Sequence, residues 1–323
     1  MRAIQVFETG GPEVMRLVEV PDPVAGEGRL LVEVSTCGVN YIDTYHRAGT
    51  YAREVPFGLG LEGVGVVREL GPGVGGFTVG QRVAWSQTPD SYAELVAVPA
   101  AQAVPVPDGV SDEQAVGALL QGMTAHVLVT ATHPVAQGES ILVHAAAGGV
   151  GLMLTQLAAA RGARVIATVS TAAKAELARA AGASDVINYI EVDDLAARVR
   201  ELTGGEGVAA VYDGVGATTF DASLASLRRR GILVLFGAAS GPVPPVDPQR
   251  LNAGGSLYLT RPTLFHYTAT REELEWHSGE VFGAVANGTL DVRIGHRYPL
   301  ADARSAHEDL QSRVTTGKLV LLP

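Results

Sequence analysis

The chain has 323 residues, 47% of them hydrophobic, enough to bury a large core and to divide into two domains. A formal net charge of −10 at pH 7 argues against general binding to nucleic acid or to an anionic membrane. A single cysteine, Cys37, excludes an internal disulfide and suits a reducing compartment. No signal peptide is read at the start, where Glu8 interrupts a short apolar run, so the expected location is the cytoplasm.

Residues 3–7, 15–20 and 29–34 alternate apolar and polar side chains like half-exposed strands, with Gly10-Gly11-Pro12, Pro21-Asp22-Pro23 and Gly26-Glu27-Gly28 as the turns between them. Further strands are read at 63–70, 82–85 and 92–98, which together describe a mostly antiparallel, barrel-like domain. A helix is expected over 112–120, leading into a different pattern.

Ser140-Ile141-Leu142-Val143 is a short apolar run that breaks into small residues and resumes with helical spacing after Gly151. Ala146, Gly148 and Gly151 occupy the three places of a G-x-G-x-x-G/A fingerprint, with Gly149 and Val150 between the last two. Small residues there let a pyrophosphate approach the backbone, and the unpaired N–H groups of the helix start can hold it. Strands at 163–169, 185–189, 208–213, 232–236 and 256–260 follow, separated by helices, so a doubly wound parallel sheet of the Rossmann type is expected. The apolar stretch 141–160 is as long as a membrane span, but its glycines and its strand-turn-helix pattern argue against one. Arg228-Arg229-Arg230, the only basic run, is expected to cap a helix C-terminus.

The end of the second strand of this sheet bears on the choice of dinucleotide. NAD sites usually place an acid about 20 residues past the fingerprint, on the ribose hydroxyls. This chain has Thr168-Val169-Ser170-Thr171 there, and no carboxylate before Glu176. Lys174 and Tyr189 follow, and a hydroxyl, a cation and an aromatic suit a 2′-phosphate, which favours NADPH; the other reading of Lys174 is a solvated helix residue.

After residue 260 a helix is read from Thr270 to about Asn287, then a strand around Tyr298-Pro299-Leu300, a helix over 301–312 and a terminal strand, Lys318–Leu322. This tail is expected to return and complete the first domain. The division expected is 1–122 with 265–323 as the catalytic domain and 123–264 as the NADPH-binding domain.

Four segments carry a resemblance to a known family: Cys37-Gly38-Val39-Asn40-Tyr41-Ile42-Asp43-Thr44-Tyr45, Gly60-Leu61-Glu62-Gly63-Val64-Gly65-Val66-Val67, the stretch from His144 to Gly151, and Gly255-Ser256-Leu257-Tyr258-Leu259-Thr260-Arg261-Pro262. With them the whole chain resembles the medium-chain dehydrogenase/reductase superfamily, in its quinone oxidoreductase (zeta-crystallin-like) branch. The resemblance implies a GroES-like barrel beside the Rossmann domain and zinc-independent transfer of hydride from NADPH to a quinone. The alternatives are reduction of α,β-unsaturated ketones or aldehydes and, in another class, a structural or RNA-binding protein that holds NADPH as a ligand. The acidic balance disfavours RNA.

Zinc alcohol dehydrogenases of the superfamily hold their catalytic metal with a cysteine, a histidine-glutamate pair and a further cysteine or acid. Cys37 stands at the first ligand place in this reading, but Leu61 replaces the histidine before Glu62, and no cysteine follows Val83-Ala84-Trp85 where a structural lobe would lie. A catalytic zinc needs three protein ligands, so no metal is expected.

By motif position the resemblance places Asn40, Tyr45 and Tyr51 beside the nicotinamide, with Asn40 donating to the acceptor's carbonyl oxygen. Thr124 would contact the cofactor near the nicotinamide, or cap a helix that it begins. Ser170, Lys174, Tyr189 and Arg313 would surround the 2′-phosphate, and Phe236, Gly237 and Ser240 the nicotinamide ribose. Asp213 and His144 read as a turn residue and a packing residue, and no role is assigned to Gln121, where close relatives can carry lysine, or to His46. The last strand of the parallel sheet would be an exposed edge through which two copies form a homodimer.

Overall fold

The first strands, β1 (Arg2–Val6) and β2 (Met15–Glu19), pair antiparallel in a computed structural model that describes all 323 residues. They are followed by β3 (Arg29–Val39), the short helix α1 (Tyr41–Arg47), β4 (Phe57–Gly58), β5 (Glu62–Leu70), β6 (Arg82–Trp85), β7 (Leu95–Pro99), β8 (Val104–Pro105) and helix α2 (Asp112–Val127). Leu30, Val32 and Val34 of β3 alternate into a core that also holds Ile4, Val83, Trp85 and Val98, as period-two patterning requires. α2 passes the expected end at Leu120 and continues into a π-helical turn, Leu128–Thr132. Gly122 is buried within it, so packing carries the helix through a residue of low helix propensity. The stretch Asp112–Thr132 is long and apolar enough to cross a membrane by length and composition, but 67% of its apolar window is buried inside the protein, as in a core helix.

From residue 140 the pattern is strand and helix in alternation: β9 (Ser140–Val143), α3 (Gly149–Ala160), β10 (Arg164–Val169), α4 (Ala172–Ala180), β11 (Asp185–Asn188), α5 (Leu195–Leu202), β12 (Val208–Asp213), α6 (Phe220–Ser226), β13 (Leu227–Leu235), α7 (Gln249–Ala253), β14 (Tyr258–Thr260) and α8 (Leu264–Tyr267). The six strands form one parallel sheet in the order β11-β10-β9-β12-β13-β14. That order reverses direction at β9, so the turn after β9 opens at the switch point where such sheets bind ligands. Arg228, Arg229 and Arg230 lie in β13 and do not cap α6. The carbonyls at the end of α6 are taken instead by Arg200, which donates to Ala225 O at 2.9 Å and to Leu227 O at 3.0 Å, while Arg228 pairs with Glu139.

The tail contains α9 (Arg271–Ala286), opened by a capping box of Thr270 and Glu273, then β15 (Ile294–Pro299), α10 (Ala303–Ser312) and β16 (Lys318–Leu322). β16 pairs antiparallel with β3, which gives a seven-stranded sheet ordered β15-β16-β3-β5-β6-β8 with β7 also on β3. The chain therefore forms two compact units, Met1–Gln121 with Thr268–Pro323, and Gly122–Tyr267.

Candidate active site

The nucleotide unit places its candidate binding turn between β9 and α3. Ala145 takes a left-handed φ of 49°, a strained conformation for a residue with a Cβ, and is exposed. Ala146 is fully buried and its N–H donates to Thr168 O at 3.1 Å, tying the turn to β10. A Cβ on Gly151 would lie 2.8 Å from Ala146 Cα, so the helix crosses the strand at a distance only glycine allows. Gly148, Gly149 and Val150 are half-buried at the N-terminus of α3, where the first N–H groups have no partner within the helix. A phosphate is a fitting partner for those groups, and the residues present suit a dinucleotide.

Ser170 follows β10, and Thr171 caps α4 by accepting from Lys174 N at 3.2 Å. Tyr189, at the end of β11, is exposed and donates its backbone N–H to Val169 O, which brings it beside the Ser170 turn. On the other side of the switch point, Gly237 packs against Gly214, where a Cβ would lie 2.8 Å from Gly214 Cα. Ser240 Oγ donates to Val215 O and accepts from Thr218 N. Phe236, Gly237 and Ser240 thus share one loop, half-buried and held against the loop after β12. Asp213 is spent on that loop: its carboxylate accepts from Val215 N, Gly216 N, Thr219 Oγ1 and Ser223 Oγ. Because Ser223 gives its proton to Asp213, it must accept from His144 Nε2, and His144 Nδ1 then accepts from Thr168 Oγ1. Burial holds the His144 imidazole below its ordinary pKa, in keeping with a neutral structural residue. Thr124 lies inside α2, so it does not begin and cap a helix as one of its two expectations had it.

Arg313 belongs to the other unit. It ends α10 with a left-handed φ of 62°, is exposed, and its charge acts on the Tyr41 hydroxyl.

In that unit β3 leads directly into α1, and Asn40 is the N-cap between them, its N–H donating to Asp43 Oδ2 at 2.8 Å. Its side chain is only 4% exposed and fully engaged. Nδ2 donates to Glu62 Oε2 at 2.9 Å and weakly to Gly38 O at 3.4 Å, while Oδ1 accepts from Lys318 Nζ at 2.9 Å and from Gln121 Nε2 at 3.3 Å. Lys318 Nζ also donates to Glu62 Oε2 at 2.5 Å, and Glu62 Oε1 accepts from Leu120 N at 2.7 Å. Both members of this ion pair are fully buried. A buried pair of this kind depends on further hydrogen bonds to its charged groups, and here Asn40 bonds both members and Leu120 N–H donates to the second carboxylate oxygen. Gly38 makes room for it: a Cβ there would lie 2.8 Å from Glu62 Cδ and 2.9 Å from Lys318 Cε.

Cys37 does not join this group. In the ladder Gly38 faces Glu62 and Cys37 faces Gly63, so Cys37 and Glu62 project to opposite faces of the sheet. The thiol is part of the barrel core, and its burial pushes its pKa up to about 12. The candidate first zinc ligand is therefore separated from the acid, Leu61 offers no donor, and Glu62 is already paired with an ammonium. This residue set does not fit a catalytic zinc.

Tyr45 and Tyr51 meet edge to face at 5.4 Å, and Tyr51 also meets the His46 ring at 5.7 Å. Tyr51 is exposed, and Tyr45 half-buried. The His46 pKa is lowered, first by burial and then by Arg53, so the ring is not charged at neutral pH. Behind α1 runs a second buried chain of contacts: Arg47 donates to His307 Nδ1 at 2.9 Å, His307 Nε2 to Tyr92 Oη at 3.2 Å, and Tyr92 Oη to Asp43 Oδ2 at 2.8 Å. Arginine cannot accept, so it fixes the histidine tautomer and with it the direction of the chain. Burial pushes the Asp43 carboxyl up to about 7, and burial with the Arg47 charge pushes His307 down to about 3.

Residue reading alone did not single out Lys318 or the Asp43–Tyr92–His307–Arg47 chain. Lys318 opens an apolar strand, and its meeting with Asn40 and Glu62 follows from the pairing of β16 with β3, which no local motif records.

Two family models match the chain: an alcohol dehydrogenase GroES-like domain over residues 26–108 and a zinc-binding dehydrogenase over residues 149–277. The quinone oxidoreductase of Salmonella typhimurium is 47% identical over 324 residues, covering 99% of each chain. A 2-haloacrylate reductase of a Burkholderia species is 41% identical over 329 residues, covering 99% of this chain and 98% of its own. A mycobacterial protein solved in complex with NADPH superposes with a TM-score of 0.98 at 57% identity, covering 100% of both chains. Fold and residues together define a dehydrogenase/reductase of the GroES-plus-Rossmann type. The chain belongs to the medium-chain dehydrogenase/reductase superfamily, in its quinone oxidoreductase branch.

Proposed function

We propose that this protein is an NADPH-dependent, zinc-independent quinone oxidoreductase. The observation that carries the reading is the acceptor-side cluster, in which the Lys318 ammonium and the Asn40 amide occupy Glu62 where a zinc enzyme would need metal ligands. Without a metal to lower a hydroxyl pKa, alcohol oxidation has little assistance, whereas an electron-poor acceptor needs position and a dry site.

The nucleotide unit would hold NADPH through the N–H groups at Gly149, Val150 and Gly151, with Ala146 and Gly148 leaving room for the pyrophosphate. Ser170, Lys174 and Tyr189 are the proposed 2′-phosphate residues of this unit, which is supported by the absence of an acid between β10 and Glu176. Phe236, Gly237 and Ser240 are assigned to the nicotinamide ribose, and Thr124 to the nicotinamide end. When bound, the reduced nicotinamide supplies a hydride. That hydride, with a proton from solvent, would convert a quinone to the hydroquinone and leave the nicotinamide oxidised. Tyr45 and Tyr51 offer a planar acceptor an aromatic face and two hydroxyls. Asn40 holds the carbonyl oxygen by redirecting its Nδ2 hydrogen from Gly38 O, the longest of its four contacts at 3.4 Å.

A second reading, reduction of a conjugated carbon–carbon double bond, is favoured by the similarity to the 2-haloacrylate reductase. The test follows NADPH absorbance with a small para-quinone, an enone and a 2-haloacrylate in parallel, with an NADH arm and a chelator arm. Quinone turnover with NADPH, unaffected by chelator, is the expected result. Turnover with NADH alone, or loss on chelation, would overturn the cofactor or the metal-free part. Turnover of the conjugated acids or enones alone would replace the first reading by the second. The exposed Tyr258 on β14, the edge strand of the parallel sheet, supports a homodimer formed through that edge, checked by sedimentation. The cytoplasm is the proposed location.

A further inference from the structure

The contacts around Asn40 run in one direction only. Lys318 can donate and never accept, and Glu62, when ionised, can accept and never donate. Turning the Asn40 amide over would set N–H against the ammonium and carbonyl against the carboxylate, so Oδ1 must face Lys318 Nζ and Nδ2 must face Glu62 Oε2. Oδ1 thus fixed then fixes Gln121, which must present Nε2 to it, as it does at 3.3 Å. The polarity set by a buried ion pair is passed through two amides to a single terminal atom, Gln121 Oε1. That atom is buried, on a residue only 9% exposed, and no group of the protein donates to it. Leaving a buried acceptor unmet is costly, and every other polar side-chain atom of Asn40, Glu62, Lys318 and Gln121 has at least one partner.

We infer that Gln121 is a specificity-determining residue whose side-chain carbonyl accepts a hydrogen bond from a hydroxyl carried by the acceptor substrate. The inference rests on the proposed function, which sets the acceptor against Asn40. A plain quinone brings only carbonyl oxygens, so it meets Asn40 and leaves Gln121 unmet. A quinone with a hydroxyl on a short arm satisfies both, and replacing that hydroxyl by a methyl ether of similar size removes the donor. A site built to meet a hydroxyl discriminates strongly against the analogue without one, because its own polar atom is then left unpaired.

The experiment compares kcat/KM for hydroxymethyl-1,4-benzoquinone and methoxymethyl-1,4-benzoquinone with NADPH, in the full chain and in its Gln121→Met and Gln121→Glu variants. The hydroxymethyl compound is expected to be preferred by about tenfold or more. Gln121→Met, which keeps the length and removes the acceptor, should bring the ratio close to one. Gln121→Glu, which keeps an acceptor, should retain a preference. NADPH affinity, read by fluorescence titration, should change less than threefold in Gln121→Met. A ratio near one in the parent enzyme would show that only water meets this atom and would overturn the inference while the quinone reading stands. An unchanged ratio in Gln121→Met, or a tenfold loss of NADPH affinity there, would overturn it too, the latter by assigning the atom to the cofactor. If neither quinone is reduced, the function reading itself fails and takes the inference with it.

Discussion

The two candidate sites in this molecule are made of different material. The nucleotide turn, Ala145 to Gly151, is built from backbone: its working groups are N–H bonds at a helix start, and its side chains matter chiefly by being small. The buried polar cluster is built from side chains of Asn40, Glu62, Gln121 and Lys318, which meet only after β3, β5, α2 and β16 have folded together. A backbone site is local and fails locally. A buried side-chain network is shared property, so damage to one member reaches stability and specificity at once.

The sharpest test of that contrast removes the ammonium. Lys318→Met should leave Glu62 as an uncompensated buried carboxyl and destabilise the protein by about 3–5 kcal/mol in urea unfolding, while the double variant with Glu62→Gln recovers much of the loss. A single variant as stable as the parent would show that the ion pair is not holding the acceptor side together. Next in size, Gly151→Val forces a side chain against Ala146 and should weaken NADPH binding by about a hundredfold, close to 2.7 kcal/mol of binding free energy. Its unfolding free energy should fall less, by about 1–2 kcal/mol as for ordinary overpacking. If stability fell as far as in Lys318→Met, the nucleotide turn would be as global as the cluster and the contrast would break.

A third test uses pH on the buried chain behind α1. Asp43 has its carboxyl raised from 3.8 to about 7, so the folded state holds that proton more tightly; the contribution is complete below pH 3.8 and is lost as pH rises through about 7. His307 is lowered from 6.5 to about 3, so its contribution is complete above pH 6.5 and is lost as pH falls toward 3. Between about pH 4 and 6.5 the two slopes oppose each other. Relative to the parent, Asp43→Asn should gain stability as pH rises across that window and His307→Gln should lose it, measured as unfolding free energy against pH. Slopes of the same sign in the two variants would mean that these groups do not titrate as a linked pair. The smallest effect is expected at the exposed rim: Tyr51→Ala gives up edge-to-face contacts with Tyr45 and His46, and should raise the KM for quinone severalfold while lowering stability by at most about 1 kcal/mol.

The same contrast explains what could be read in advance. The spacing of apolar runs gave all six strands of the parallel sheet, because period and punctuation are properties of neighbouring residues. The terminal strand was legible for the same reason, and so was Gly151, whose need for a missing Cβ is written in a six-residue motif. Element ends fared worse. α2 runs through Gly122, and Arg228–Arg230 extend a strand, because buried packing in one case and Arg200 capping in the other come from elsewhere in the chain. Cys37 was aligned with a ligand place by motif, but strand alternation turns its thiol to the far side from Glu62.

By itself, then, the sequence determined the local matter of this protein: strands, helices, a phosphate-fitting turn, and the missing acid and missing histidine that point to NADPH without zinc. Only the tertiary structure decided which polar side chains share a buried space. Asn40, Glu62, Gln121 and Lys318 are up to 278 residues apart, and their meeting depends on the register of β16 on β3. Hydrogen-bond direction, tautomer and the unmet carbonyl of Gln121 follow from contact, and contact between distant side chains is set by folding, which no spacing along the chain records.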